Sequence, residues 1–203
     1  MKLFYSPGAC SLSPHIALEE SGLPYQAEAV NLKTKTTASG ENFTSINPRG
    51  YVPALLLDSG ELLSEGPAIV QYIADQAPSK NLAPANGTLE RYQLQAWLTY
   101  IGTELHKSFV PFFHANEACE EWRVAMKANL ENRYSHINEH LAGKSYLLGE
   151  QFSVADAYLF TVTRWLKVSK LSLEPWQNLA AFQERVAARP AVQAVLIAEG
   201  LKR

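Results

Sequence analysis

Up to about residue 80, the spacing of hydrophobic positions changes from one segment to the next, which predicts strands alternating with helices. An apolar run at 2–5 stops at a Ser-Pro-Gly turn, as a strand does. The polar stretch at 34–47 has no pattern and predicts a loop with at most one helical turn. The predicted order is a strand at 2–5, a helix at 11–20, a strand at 25–32, the loop, a hairpin at 54–63 and a helix opening at Ser64-Glu65-Gly66-Pro67.

Proline and glycine then mark a linker, and every pattern after it is helical. Helical spacing covers 88–113, 130–141, 154–170 and 176–188, with a short last helix after Pro190. We therefore predict an α/β domain over 1–80, a linker over 81–87 and an all-α domain over 88–203. The strand-helix-strand start followed by a hairpin and a helix is the order of the thioredoxin fold.

The first long helix is predicted to bury one stripe of its side chains. The stripe consists of Leu89, Tyr92, Ala96, Trp97, Tyr100, Ile101 and Leu105.

Composition and charge limit the classes of function. The 203 residues are 47% hydrophobic and 19% charged, with a net charge of −2, as in an ordinary globular protein. This balance argues against nucleic acid or an anionic membrane as partner, and no apolar run reaches the roughly 18 residues of a membrane span. The start lacks the apolar segment of a signal peptide, and Cys10 and Cys119 are too few for a disulfide framework. We expect a cytoplasmic protein that binds neither nucleic acid nor membrane.

Cys10 carries the strongest chemical signal in the sequence. It follows the first strand at the mouth of the first helix, where the positive end of the helix dipole favours a thiolate. Thioredoxin-like redox proteins have C-x-x-C at this place, but here the fourth position is Ser13, so no second thiol can close an intramolecular disulfide. We predict a thiol that pairs with a small external thiol. A buried structural cysteine is the alternative interpretation.

Two further segments could hold a peptide-like ligand. Val52-Pro53 enters a strand where a thioredoxin fold holds a cis-proline, which leaves the backbone of the preceding residue open to a ligand; an ordinary trans loop is the alternative. Ser64-Glu65-Gly66 opens a helix whose free N–H groups can hold a carboxylate, while Glu65 can meet an ammonium group. These are the two charges of an α-amino-acid end group, although a serine cap with an acidic first turn is also common.

Three linked motifs together resemble those of cytosolic glutathione S-transferases. They lie at 7–10, 47–55 and 64–69, and the segments 4–11 and 103–107 are similar to the bacterial beta class in particular. The resemblance runs essentially from end to end and implies the glutathione S-transferase fold. Ser153 and Asp156 match a capping box of the family's helical domain, which we interpret as serving folding.

The resemblance implies a set of residues that bind glutathione. Cys10 would lie against the sulfur and could form a mixed disulfide with it. Val52 would pair through its backbone next to a cis Pro53, and Glu65 with Gly66 would hold the γ-glutamyl end. The remaining implied contacts are Lys35, at the glycine carboxylate, and Thr99, Thr103, Glu104, Leu105 and His106 of the helical domain.

Thr99 departs from the beta class, which commonly has Asn at this position. A hydroxyl can replace one hydrogen bond of the amide but has a shorter reach. Residues 99, 103 and 106 are spaced i, i+4 and i+7, so we predict that they share one helix face, turned away from the core stripe.

The implied function is conjugation of the glutathione thiol to hydrophobic electrophiles, with Cys10 and His106 as the catalytic residues nearest the sulfur. Tyr5 and Ser11 are alternative hydroxyl donors to the thiolate. Glutathione would be a co-substrate, with no further cofactor, and no spacing of His, Cys, Asp and Glu indicates a metal site. The electrophile is expected between the domains, where the candidate lining residues are Tyr100, Phe109, Phe112, Phe113 and Trp165.

Two other functions stay open at this point. One is glutaredoxin-like thiol–disulfide exchange run by Cys10 alone, and the other is non-catalytic binding of hydrophobic ligands.

The resemblance further implies a homodimer in which Glu104 also contacts the glutathione bound by the partner subunit. Leu98, together with the helix that carries Ile69, Val70 and Tyr72, is interpreted as apolar surface available for this pairing.

Overall fold

A computed structural model describes residues 1–113 and 118–201 of the chain. Its internal contacts divide it into two compact units. The first unit combines Met1–Ala83 with Ala188–Arg203, and the second unit is Pro84–Ala187.

A five-stranded mixed sheet forms the centre of the first unit. Its strands are β1 (Lys2–Tyr5), β2 (Gln26–Asn31), β3 (Thr36–Thr37), β4 (Ala54–Leu56) and β5 (Leu62–Ser64). They lie in the order β3-β2-β1-β4-β5, with β1 and β2 parallel and the other neighbours antiparallel. The predicted thioredoxin-like order is confirmed. The two-residue β3 was not predicted, because a strand of that length leaves no alternation to detect.

The helices of the first unit cover one face of this sheet and close its other face. Those next to the sheet are α1 (Leu12–Ser21), the single turn α2 (Phe43–Ile46) and α3 (Gly66–Gln76), which is followed by a 3-10 turn at Pro78–Lys80. Phe4 clusters with Val30, Phe43, Val52 and Ala54 on the face closed by α2. Since side chains alternate along a strand, the neighbouring positions of β1 and β4 point to the opposite face, where α1 and α3 pack.

The last helix, α10 (Pro190–Ala198), belongs to the first unit, where it packs on α1. The sequence placed this segment in the helical domain of 88–203, so the structure differs from that prediction. Eight of the ten residues of α1 are buried, which requires cover beyond the sheet and α3. The apolar side of α10, with Val192, Val195 and Leu196 buried, supplies that cover.

An ion pair and a buried hydrogen bond fix the ends of this C-terminal segment to α1. Arg189 donates to both carboxylate oxygens of Glu20, at 2.6 and 2.9 Å. At the other end, Glu199 Oε1 lies 2.8 Å from His15 Nδ1, and both side chains are almost fully buried. A buried polar group is costly without a hydrogen-bond partner, so this contact satisfies both Glu199 and His15.

The second unit consists of helices. They are α4 (Leu89–Tyr100), α5 (Val110–Phe113), α6 (Glu120–His140), α7 (Val154–Thr163), α8 (Leu166–Ser169) and α9 (Gln177–Ala187). The predicted helix over 88–113 is interrupted by a π-helical turn at Ile101–Leu105 and a 3-10 turn at His106–Phe109. Within residues 1–113 and 118–201, no helix has the length and apolar character needed to cross a membrane.

The buried stripe of α4 differs from the predicted one. Leu89 and Tyr92 are 68% and 61% exposed, whereas Leu94 and Leu98 are buried together with Ile101 and Leu105. Both stripes have helical spacing, so the sequence could not show which one faces inward. Leu98 is therefore a core residue and supplies no spare apolar surface.

Helix α7 is held by the predicted capping box. Asp156 accepts hydrogen bonds from the backbone N–H and the hydroxyl of Ser153, at 2.8 and 2.7 Å, and from the N–H of Leu147 at 2.8 Å. Every residue of α7 is buried, so this cap fixes a helix at the centre of the second unit.

Glu28 gives a pH-dependent contribution to the stability of the first unit. Its carboxylate pairs with Lys2 and accepts from the Ser39 N–H at 2.9 Å, and these bonds lower its pKa from 4.5 to about 2. Because the pKa is lowered by folding, the stabilisation is present above pH 4.5 and is lost as the pH falls toward 2. We expect Glu28→Gln to lower the free energy of unfolding at pH 7 by about 1–3 kcal/mol, with a deficit that shrinks between pH 4.5 and 2.

Urea unfolding of wild type and variant across this pH range measures the effect. Glu41→Gln, which removes an exposed carboxylate from the same segment, should leave the pH profile unchanged. A Glu28→Gln deficit that stays constant down to acidic pH would contradict the assignment.

Candidate functional site

Cys10 lies in a tight loop that joins β1 to α1. The loop is closed by backbone hydrogen bonds from Ala9 N to Ser6 O and from Leu12 N to Ala9 O, both 3.0 Å long. Cys10 is half-buried and not in a disulfide, and its Sγ donates to the carbonyl oxygen of Val52 at 3.3 Å. The thiol predicted from the sequence is thus connected to the second predicted segment.

Ser11 closes the same loop from within. Its fully buried hydroxyl accepts from the Ser6 N–H at 3.0 Å and donates to the Ser6 carbonyl at 3.2 Å. The hydroxyl proton is therefore committed to the backbone, which counts against Ser11 as a donor to a bound sulfur.

The C-terminal segment supports the loop from the other side. Glu199 Oε2 accepts from the N–H of Gly8 at 2.9 Å, while Oε1 contacts His15. Gly8 has φ +72°, and a Cβ there would lie 3.4 Å from the Leu201 side chain. The positive φ favours glycine at this position, whereas the distance to Leu201 is an ordinary van der Waals contact. The role of Glu199 in holding this loop was not predicted, because a lone glutamate 191 residues after Gly8 gives no local signal.

Tyr5, the other alternative hydroxyl donor, has its ring 5.1 Å from that of His15. Burial, followed by the negative charge of Glu199, raises its pKa. A raised pKa makes Tyr5 a weaker acid, so it is a poorer candidate for stabilising a thiolate.

The Val52-Pro53 peptide bond is cis, as predicted. Val52 lies just before β4 and is 4% exposed; in the part of the chain that the structure describes, its N–H has no hydrogen-bond partner. A Cβ on Gly66 would lie 3.7 Å from Pro53 Cγ, so the start of α3 adjoins this proline. The second and third predicted segments are therefore neighbours.

Glu65 presents its carboxylate at the N-terminus of α3. It has φ +69°, and its side chain is 60% exposed. The carboxylate accepts from Tyr51 Oη at 2.8 Å and from Arg49 Nη1 at 3.1 Å. No role was predicted for Arg49 and Tyr51. Their position shortly before Val52 in the 47–55 motif could have indicated that they lie near the site.

A turn built on Asn47 connects these parts with Lys35. The buried Asn47 side chain donates to Tyr51 O at 2.8 Å and accepts from Arg49 N at 3.2 Å. The backbone carbonyl of Gly50, which follows Arg49, accepts a hydrogen bond from Lys35 Nζ at 2.7 Å. The ammonium group of Lys35 is thereby held against the turn that also positions Glu65 and Val52.

The predicted residues of the first unit thus form one connected set. They supply a thiol, an unpaired backbone N–H, a carboxylate at a helix N-terminus and an ammonium group. This combination suits a short peptide that carries an amino-acid end, an internal amide and a second carboxylate. Within the described ranges, no group of three or more His, Cys, Asp and Glu could hold a metal ion.

In the second unit, His106 is the polar centre of an aromatic cluster. Its Nδ1 lies 2.7 Å from Tyr158 Oη, and its ring centroid is 4.9 Å from that of Trp165. Trp165 also contacts Phe109 and Phe113, at 5.7 and 5.1 Å. The ring of Phe113 is 48% exposed.

Tyr100, another candidate lining residue, contacts Trp97 and His136 instead, and Phe112 contacts Phe109.

The other predicted site residues of the second unit differ in their exposure and in their contacts. Thr99 and Thr103 are exposed, and their hydroxyls donate to the carbonyls of Gln95 and Thr99 at 2.8 and 3.0 Å. Glu104 accepts from Arg133 Nε at 2.8 Å. The Leu105 side chain is fully buried, so only its backbone can contact a ligand.

The π-helical turn separates Thr99 from His106, so the predicted i, i+4, i+7 face is not that of a regular helix. Single π-helical turns occur frequently at functional sites.

Comparison with known proteins gives matches over nearly the whole chain. A family model for the N-terminal domain of glutathione S-transferases matches residues 8–76, and one for their C-terminal domain matches 100–190. The glutathione S-transferase GstA of Escherichia coli O157:H7 is 48% identical over 202 residues, which cover 100% of each chain. Two solved structures are each 47% identical over 100% of both chains, with a TM-score of 0.95: a sphingomonad glutathione S-transferase in complex with glutathione, and the bacterial beta class enzyme of Sphingomonas chungbukensis.

We expect the hydroxyl groups of Ser11 and Ser13 to differ in their contribution to the stability of the protein. Ser11→Ala should lower the free energy of unfolding by about 1–2 kcal/mol, because it leaves the Ser6 N–H without its partner and removes one of the two hydrogen bonds to the Ser6 carbonyl. Ser13→Ala should have little effect, since the buried Ser13 hydroxyl has no hydrogen-bond partner among the described residues. Chemical denaturation of both variants measures the difference. Equal stability would show that the Ser11 hydroxyl does not hold the loop.

Proposed function

The chain belongs to the glutathione S-transferase family, and on that premise we propose that it joins the glutathione thiol to hydrophobic electrophiles at the cluster around Cys10. It is a beta class transferase with glutathione as its co-substrate and no further cofactor. The observation that carries the proposal is the connected set of Cys10, Val52, Glu65 and Lys35, which offers one complementary group to each part of glutathione.

The charged ends of glutathione fit the two ends of this set. Glu65 carries the negative charge that the γ-glutamyl ammonium group needs, and the α3 N-terminus at Gly66 offers a backbone N–H to the adjacent carboxylate. At the other end, the Lys35 ammonium group suits the glycine carboxylate. Between them, the Val52 N–H suits the carbonyl of the cysteinyl residue, which would add as a short extra strand.

This placement brings the glutathione sulfur to Cys10. Ser11 and Tyr5 are weaker candidates, since the Ser11 hydroxyl is bound to Ser6 and the Tyr5 ring lies against His15. Cys10 is therefore proposed as the contact of the sulfur in the first unit. Two reactions are possible there. The glutathione thiol loses its proton to solvent and attacks an electrophile, or the Cys10 thiolate attacks glutathione disulfide, forms a mixed disulfide with one glutathione and releases the other as a thiolate.

The conjugation step needs a thiolate at neutral pH. A free thiol has a pKa near 8.5, so a hydrogen-bond donor at the sulfur raises the thiolate fraction. His106 is proposed as that donor. The thiolate then forms a carbon–sulfur bond with the electrophile, while the leaving group departs with the electron pair of its bond to carbon.

Four further contacts in the second unit rest on the resemblance. The hydroxyl oxygens of Thr99 and Thr103 have lone pairs that can accept hydrogen bonds from the ammonium group of glutathione. Glu104 carries a charge that Arg133 balances, and its role toward a second subunit stays a prediction. Leu105 is retained as a backbone contact only.

The aromatic cluster around Trp165 is proposed to bind the electrophile. Phe113, at its exposed edge, offers apolar surface in the cluster that also contains His106. The cluster therefore favours aromatic or aliphatic electrophiles over charged ones.

A homodimer is also proposed. Family membership supports it, as do Leu89 and Tyr92, which α4 leaves exposed. Ile69 and Val70, like Leu98, are buried and do not contribute spare surface. Analytical ultracentrifugation at micromolar concentration should show a dimer. A cytoplasmic location remains a prediction; it is supported by Cys10 and Cys119, neither of which forms a disulfide.

Family membership does not favour the two other functions, and activity assays separate them from conjugation. We expect turnover of at least one aromatic electrophile with glutathione, and Cys10→Ala should abolish exchange with a mixed disulfide because the exchanging thiol is gone. Cys119→Ala, which removes the exposed cysteine, is the matched control and should leave both activities unchanged. Binding of apolar dyes without turnover of any electrophile or disulfide would instead support a carrier.

A further inference from the structure

Tyr158 contacts His106 from a position fixed by the core of the second unit. It lies on α7, whose residues are all buried, and only 5% of its own surface is exposed. Its hydroxyl is 2.7 Å from His106 Nδ1. The capping box at Ser153 and Asp156 anchors this helix, so the hydroxyl has little freedom to move.

The chain around His106 accommodates this hydroxyl. A Cβ on Gly102 would lie 3.7 Å from Tyr158 Oη, so the π-helical turn passes close to the phenol. Trp165 packs against the His106 ring at 68°, and the Tyr158 ring meets it at 80°. The rings of Trp165 and Tyr158 and the hydrogen bond to the Tyr158 hydroxyl therefore contribute to the orientation of the imidazole.

We propose that Tyr158 is a positioning residue that donates its hydroxyl proton to His106 Nδ1 and so keeps the imidazole in the Nε2–H tautomer. A neutral imidazole carries one proton, and the nitrogen that accepts a hydrogen bond is the one without it. The proton then lies on Nε2, the nitrogen remote from Tyr158. A thiolate needs a donor, and only this tautomer offers a donor there.

Placing the proton on the other nitrogen would give His106 a different chemical role. If Nδ1 carried the proton and donated to the phenol, Nε2 would be an acceptor and His106 would act as a base toward the thiol. Tyr158 thus decides between two roles of the same histidine. This inference rests on the proposed function of His106 at the glutathione sulfur.

Tyr158→Phe tests the proposal by removing the hydroxyl alone. We expect kcat with an aromatic electrophile to fall about tenfold, the equivalent of one hydrogen bond lost in the transition state, with KM for glutathione unchanged. The pKa of the bound glutathione thiol, followed by thiolate absorbance, should rise by about 1. The ¹⁵N chemical shifts of His106 should report the Nε2–H tautomer in wild type and a mixture of tautomers in the variant.

Tyr134→Phe is the matched control, because it removes another buried phenol hydroxyl that has no hydrogen-bond partner in the described ranges. It should behave like wild type in all three measurements. In a His106→Asn background, Tyr158→Phe should cause no further change. An unchanged thiol pKa in Tyr158→Phe, or a full effect without His106, would overturn the proposal.

The outcomes also separate this proposal from the proposed function. If His106→Asn alone leaves turnover and the thiol pKa unchanged, the role of His106 at the sulfur fails. The ¹⁵N shifts still decide the role of Tyr158 in that case. An Nδ1–H tautomer in wild type, or the same tautomer with and without the phenol hydroxyl, would overturn it.

Discussion

The hydrogen bond from the Cys10 thiol to the Val52 carbonyl connects the two halves of the glutathione-binding cluster in the first unit. On one side of it, a loop between a strand and a helix has to hold a thiol at a fixed place. On the other side, the 47–53 turn has to present backbone groups that a ligand can use. The carboxylate of Glu65 and the ammonium group of Lys35 are in turn held by contacts to that same turn. A shift in either segment would therefore separate the thiol from the charges that are proposed to align glutathione with it.

The C-terminal segment explains how the thiol-bearing loop is kept in place. Glu199 uses one carboxylate oxygen on the Gly8 N–H and the other on His15 of α1, and the charge is almost completely removed from water. Such a buried carboxylate stabilises the fold only while both partners are present. Ser11 adds two hydrogen bonds inside the loop. The loop next to Cys10 is therefore over-determined by contacts from residues far apart in the sequence.

Local pattern was enough to predict most elements of the first unit, although not the two-residue β3, because strand alternation and turn residues are encoded within a few positions. It failed where two solutions have the same period, as in α4, where Leu98 and Leu89 exchange their predicted roles. It also failed where the deciding contact is distant. Neither the packing of α10 on α1 nor the pairing of Glu199 with Gly8 leaves a trace in the neighbouring sequence.

The candidate residues themselves came from linked motifs and a family resemblance. The residues that orient them were not predicted. Arg49, Tyr51 and Tyr158 have no distinguishing pattern in the sequence, and only the fold brings them into contact with Glu65 or His106. The π-helical turn at 101–105 was not predicted either, since the spacing of apolar residues does not distinguish a π-helical turn from a regular α-helix.

The central claim is that the first unit binds glutathione through the charges held around its thiol. Titration calorimetry of glutathione with wild type, Glu65→Gln and Glu61→Gln tests it directly. Glu61→Gln is the control, because it removes an exposed carboxylate from the neighbouring hairpin. The account predicts that Glu65→Gln weakens binding by about tenfold or more, since the ligand's ammonium group loses a charged hydrogen-bond partner worth about 1.5–3 kcal/mol. It also predicts that Glu61→Gln binds as wild type does. Equal affinity in all three proteins would contradict the account.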